Sequence, residues 1–217
     1  MNASDIGRIR DFIWDFDGTL FDTYPIIIDQ IQRALGKFGH TIDPLELMEQ
    51  LLHTVSTALK YCSEKFSIDY NQLNDAYTVL HEQSALLPIA PPMASVEKAL
   101  AAVLDRGGRN FIFTHRQLDS THAYLEKHGL SHYFTDISAP DTPGFAWKPA
   151  PDAICYLLRT HNIDPAQAAM VGDRELYHIS AQVAGIHCIH YLCKDVPQNL
   201  QCHWRFADYA DLAAAIK

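Results

Sequence analysis

The stretch Phe12-Ile13-Trp14-Asp15-Phe16-Asp17-Gly18-Thr19-Leu20 decides how the rest of the chain is read, because a short apolar run delivers two carboxylates to a glycine turn. Strands pair their backbone groups away from water, so carboxylates at a strand's exit are poor packing material and good site material. A strand end can twist so that one acid offers a side chain and the other a backbone carbonyl to the same cation. Gly18 allows the sharp change of direction, and the Thr19 hydroxyl can hold an anion or the loop itself. The same spacing also suits an ordinary strand, Asp-Gly turn and helix cap. Other segments must arbitrate.

The chain has 217 residues, enough for one substantial core with an inserted subdomain and short for two independent enzyme domains. Its formal net charge of -9 argues against a nucleic-acid polymer as partner. A phosphorylated substrate would meet a repulsive long-range field, so its site needs a metal, a lysine or backbone donors close at hand. Five cysteines, Cys62, Cys155, Cys188, Cys193 and Cys202, show neither zinc nor redox spacing. With a polar N terminus that lacks a signal-peptide core, they predict a cytoplasmic protein. No apolar run is long enough to span a membrane, and a monomer is the default expectation.

From about residue 22 to residue 87 only helical patterns occur: Ile26, Ile27, Ile28, Ile31 and Leu35, then Leu45, Leu47, Met48, Leu51 and Leu52, then Leu73, Ala76, Tyr77 and Leu80. Pro25 and Pro44 sit at plausible helix starts. Beyond Pro91-Pro92 the pattern alternates: a helix with Val96, Leu100, Ala101 and Leu104, a strand at Asn110-Phe111-Ile112-Phe113-Thr114, and a helix from Leu118 to Leu130. Strand candidates follow at Tyr133-Phe134-Thr135, Ala168-Ala169-Met170-Val171-Gly172 and 186–191, with a helix after Lys148-Pro149 and a closing helix from Tyr209 to Ile216. Short, strongly apolar strands between helices predict a three-layer α/β/α Rossmann-like core around a mainly parallel sheet. Residues 1–21 and 88–217 form this core, and 22–87 form an inserted helical cap.

In open parallel sheets reactive groups gather beyond the C-terminal strand ends. Asp15 and Asp17 follow the first strand, Thr114 the second, Lys148 a third region and Asp173 the run ending in Val171-Gly172. With these segments in this order, the chain resembles the haloacid dehalogenase-like hydrolase superfamily, specifically its capped phosphoglycolate-phosphatase-like and β-phosphoglucomutase-like branch. Asp15-Phe16-Asp17-Gly18-Thr19 is similar to the first motif of that family, Thr114 to its serine-or-threonine position, Lys148 to its lysine and Gly172-Asp173 to the start of its acidic fourth motif. The resemblance spans nearly the whole chain. It implies a C1-type helical cap over the core and a Mg²⁺-dependent phosphatase acting on a small phosphorylated metabolite. It further implies Asp15 as nucleophile, Asp17 as general acid and base, and Thr114 and Lys148 on the phosphate. The Asp15 and Asp173 carboxylates and the Asp17 carbonyl would hold the metal.

The chain departs from the family at Tyr177, where a second acid is common four residues after the first. Glu175 is one conceivable substitute, although residues two apart on a helix do not share a face. Arg116 is a candidate for cap or substrate contact through its planar donors, with an ion pair as the plain alternative. His115 is expected as a satisfied packing group more than a base. His187, Cys188 and His190 lack a complete zinc ligand set, and Trp14, Trp147 and Trp204 are expected as core or interface material. Sugar phosphomutase chemistry, or phosphometabolite binding with little turnover, are the alternatives to a phosphatase. Motif quality cannot separate phosphoglycolate, sugar phosphates and nucleotides, because cap residues decide the leaving-group fit.

Overall fold

The computed structural model describes residues 3–85, 87, 90–192 and 202–217. The expected return to the core at residue 88, and Cys193, lie outside them. The chain divides into two compact units, Met1–Asp22 with Pro91–Lys217, and Thr23–Ala90.

Strand β1 (Asp11–Trp14) is buried along its whole length and ends where the paired carboxylates begin. The helical unit follows with α1 (Tyr24–Gly36), α2 (Pro44–Leu51), α3 (Val55–Phe66) and α4 (Tyr70–Ala85). Pro25 and Pro44 both sit in a first helical turn, where a missing N–H costs nothing. The Asp43 carboxylate caps α2 by accepting from the Leu45 amide at 2.8 Å. Leu45 itself is 73% exposed, because it lies two residues from Leu47 and so points away from the buried Leu47, Met48 and Leu51 face. Helix α3 had no apolar signal of its own in the sequence reading. Its buried stripe is only Ala58, Leu59 and Cys62, and Thr54 caps it.

The second unit continues with α5 (Val96–Asp105), β2 (Arg109–Phe113), α6 (Leu118–Lys127), β3 (Phe134–Ser138), α7 (Asp152–Thr160), β4 (Ala168–Gly172), α8 (Glu175–Ala184), β5 (His187–Tyr191), β6 (Trp204–Phe206) and α9 (Tyr209–Ile216). The sheet runs β3-β2-β1-β4-β5-β6, and every neighbouring pair is parallel. Complete burial of β1 and β4 in a parallel sheet requires cover on both faces, which the intervening helices provide. Two elements correct the sequence reading. Helix α5 buries Val96, Ala99, Leu100, Ala102 and Val103, and Leu104 of the expected stripe is exposed. Strand β6, only three residues long with one buried side chain, was too short to announce itself.

The register brings Trp14 level with Ile112 on one side and Val171 on the other. Two polar devices hold it. Trp14 Nε1 donates to Asn110 Oδ1 at 2.9 Å, and the buried Asn110 amide donates to the Leu100 carbonyl at 3.1 Å, tying β1, β2 and α5. At the opposite end Arg109 makes a two-pronged pair with Asp11, at 2.7 and 3.0 Å, across the first residues of β2 and β1. A cavity of about 560 Å³ also lies at that N-terminal end, beside Arg10, Gly108 and Gln167. Arg106 lines it and donates to the Gly7 and Ile216 carbonyls, while Arg10 donates to the Gly107 carbonyl at 3.1 Å, so these guanidiniums fasten chain segments together. Among the described residues no helix is long and apolar enough to cross a membrane.

Candidate active site

Asp15, Thr114 and Asp173 are each the first residue after their strand, so the parallel register delivers all three to one end of the sheet. Asp15 continues the ladder by one bond, its amide donating to the Val171 carbonyl at 2.9 Å. The chain then turns sharply. The Phe16 carbonyl accepts from the Leu20 and Phe21 amides at 2.9 and 3.1 Å, and the Gly18 amide donates to the Phe21 carbonyl at 2.9 Å. Gly18 takes a φ of 78°, which a side chain would oppose. These bonds are made by the residues on either side of Asp17. From α9, the Tyr209 hydroxyl donates to the Thr19 carbonyl at 2.7 Å and fixes the loop from below the sequence horizon, 190 residues away.

Asp15 is 2% exposed and sits between two partners. Lys148 Nζ approaches Asp15 Oδ1 at 2.5 Å and the Phe113 carbonyl at 2.8 Å. The Thr19 hydroxyl lies 3.4 Å from both Asp15 Oδ2 and Asp173 Oδ1, so one group spans the two inner carboxylates. Lys148 is further enclosed by the Phe113 and Tyr177 rings, whose centroids lie 4.4 and 4.1 Å from its ammonium. Burial pushes its pKa down to about 8, against the upward pull of Asp15. The Lys148 amide donates to His115 Nε2 at 2.8 Å. His115 is held neutral, its pKa pushed down to about 3 by burial first and then by Lys148 and Arg174. It therefore orients the lysine's backbone, as a packing group with a defined acceptor.

The Thr114 hydroxyl accepts from the Arg116 amide at 3.0 Å, which leaves its own proton to donate. Arg116 turns back into the same crevice: Nη2 meets Asp17 Oδ1 at 2.6 Å, Nη1 meets Ser120 Oγ at 3.0 Å, and the guanidinium lies over the Phe16 and Tyr124 rings. Asp15, Asp17, Thr114, Arg116, Lys148 and Asp173 thus converge within one unit of the fold.

Glu175, the conceivable stand-in for a second acid, is exposed, whereas Tyr177 is fully buried. The Tyr177 ring packs so closely on Gly172 that a Cβ there would come within 2.1 Å of its Cδ2. Arg174 Nε donates to the Tyr177 hydroxyl at 2.8 Å and stands 3.9 Å from Asp173 Oδ1. Sequence reasoning missed Arg174, Phe113 and Tyr209. Arg174 adjoins Asp173 and could have been noticed, but the other two act through a carbonyl, a ring face and a distant hydroxyl that no motif records. Trp147, expected as core or interface material, is not in the core: it is 61% exposed and packs edge-on to His115.

Among the described residues no group of three His, Cys, Asp or Glu side chains is arranged to hold a metal ion. The donors at the sheet end are all oxygens: two carboxylates sharing a hydroxyl, beside a turn with a backbone carbonyl at Asp17. That set suits a hard, partly hydrated cation such as magnesium and suits zinc poorly.

A family model described as haloacid dehalogenase-like hydrolase matches residues 12–191, and the chain belongs to that family of enzymes. Its relatives place it in the phosphoglycolate-phosphatase-like branch. A phosphoglycolate phosphatase of Aliivibrio fischeri is 29% identical over 197 residues, covering 82% of each chain. Pyrophosphatase PpaX of Bacillus pumilus is 31% identical over 192 residues, covering 85% of this chain and 82% of that protein. The fold also matches a crystal structure from Haemophilus somnus 129pt, described as a predicted phosphoglycolate phosphatase. That match has a TM-score of 0.81 at 19% identity, over 97% of this chain and 99% of the other.

Proposed function

We propose that the protein is a magnesium-dependent phosphatase that hydrolyses a small phosphomonoester through an aspartyl-phosphate. The observation that carries this reading is the buried Asp15 carboxylate, 2.5 Å from Lys148 and joined through Thr19 to Asp173. The names of the relatives support phosphoryl-group hydrolysis as the reaction class.

Asp15 attacks phosphorus in line, forming the Asp15 O–P bond as the P–O bond to the leaving group breaks. Asp17, once it has left its ion pair with Arg116 and taken up a proton, gives that proton to the leaving alcohol and takes one from the water that later cleaves the acyl phosphate. The Thr114 hydroxyl donates to a phosphoryl oxygen, and Lys148 holds positive charge beside the same group. The Asp15 and Asp173 carboxylates and the Asp17 carbonyl would hold magnesium. When bound, it would offset the repulsion between Asp15 and the incoming phosphate. We assign residues 1–21 and 88–217 to the catalytic core and 22–87 to an inserted cap that selects the leaving group.

The test is phosphate release with magnesium across phosphoglycolate, sugar phosphates, nucleoside monophosphates and pyrophosphate, repeated with Asp15→Asn. A loss of roughly a thousand-fold or more is expected for the variant, the scale typical of removing a covalent nucleophile. Phosphate release that survives Asp15→Asn rules out the covalent route.

A further inference from the structure

Each of the two inner carboxylates already faces a cation. Lys148 stands 2.5 Å from Asp15, and Arg174 stands 3.9 Å from Asp173, whose side chain is wholly buried. Arg174 is held there. Its Nε and Nη2 both donate to the Tyr177 hydroxyl, and its guanidinium carbon lies 4.9 Å from the centroid of the Tyr177 ring. The ring cannot shift freely, because it is fully buried and pressed against Gly172. The same ring gives its other service to Lys148, covering the ammonium at 4.1 Å without contributing a charge. Where the family resemblance implies an acid, this chain therefore has a neutral ring for the lysine and a clamp for an extra positive charge.

We propose that Arg174, clamped by Tyr177, is a resident positioning cation that competes with a divalent metal for Asp173 and keeps that metal loosely bound to the free enzyme. A divalent ion settling on Asp15 and Asp173 is repelled by both Lys148 and Arg174. The burial of Asp173 leaves little water to screen the second repulsion. The inference rests on the reading of Asp173 as a metal ligand, and its test separates the two.

Mn²⁺ binding to the purified full-length protein, followed by the electron paramagnetic resonance of free Mn²⁺, needs no turnover. Arg174→Gln is expected to tighten Mn²⁺ roughly ten-fold, the effect of removing one unit charge a few ångströms from a buried ligand. Arg174→Lys keeps the charge but loses part of the clamp, and should tighten Mn²⁺ less than Arg174→Gln. Tyr177→Phe retains the ring over Lys148 but removes the clamp, and should also tighten Mn²⁺, which keeps the test alive if Arg174→Gln does not fold. Asp173→Asn should weaken binding at least ten-fold. If Asp173→Asn weakens binding while Arg174→Gln and Tyr177→Phe leave it unchanged, the competing-cation inference falls alone. If Arg174→Lys tightens binding as much as Arg174→Gln, charge is not the cause and the inference falls as well. If Asp173→Asn changes nothing, Asp173 is no metal ligand and both readings fall.

Discussion

Lys148 shows how much a single residue's environment adds to its identity. From the sequence it is a lysine before a proline. In the fold its ammonium is stripped of water and set against Asp15, the Phe113 carbonyl and two ring faces. Burial lowers its pKa from 10.5 to about 8, so the charge that would hold phosphate disappears as the pH rises through that value. For the proposed hydrolysis, kcat/KM, which reports the free enzyme, should fall about ten-fold per pH unit on the alkaline side of about 8. A plateau that extends to pH 10 would show that Lys148 is not the titrating group. Tyr177 carries the complementary lesson. Its departure from the family pattern was visible, but its surroundings were not: Glu175 is exposed, and the unremarked Arg174 donates to the Tyr177 hydroxyl.

Among the elements, β1 is the one on which the others depend, because β2 and β4 flank it and their ends supply Thr114 and Asp173. Its apolar run was legible, and so was that of β4, since complete burial leaves uninterrupted hydrophobic residues. The register was not legible. It depends on Trp14 with Asn110 and on Asp11 with Arg109, pairs almost a hundred residues apart. Asp11 is 5% exposed, so removing its partner strands a buried carboxylate. Arg109→Met should cost about 2 kcal/mol in urea unfolding. Asp11→Asn in the Arg109→Met background should recover part of that loss, as expected for coupled neighbours. Additive losses would mean that the pair does not act as a unit. The helices followed the same rule: α1 and α2 declared themselves through proline starts and apolar faces, whereas α3, with its small buried stripe, did not.

For the molecule as a whole, acid sensitivity is built into its buried histidines. His178 and His190 meet at 3.0 Å, and burial, above all other causes, takes their pKa values down to about 3 and about 4; His115 is at about 3. All three stay neutral in the fold at neutral pH, while the unfolded chain takes up protons near 6.5. The unfolded state thus binds more protons between about 3 and 6.5, and stability is lost as the pH falls through that window. Between pH 7 and pH 5 the loss should be roughly 1 to 2 kcal/mol per histidine, read from urea midpoints. Stability that stays flat over this range would show that these histidines take up protons in the folded protein as readily as in the unfolded chain. The net charge of -9 gave no hint of this, because charge counts ignore burial. The sequence alone determined the alternating core, the helical stretch after Asp22 and the acid, threonine, lysine and acid order, since hydrophobic periodicity and motif chemistry are written in neighbouring residues. Tertiary packing decided the rest: the pairing of Arg116 with Asp17, the cage around Lys148 and the seating of Arg174 on Tyr177. Those contacts join separate segments through low-dielectric space, where a ring face, a carbonyl or a distant hydroxyl sets the charge balance that no local pattern encodes.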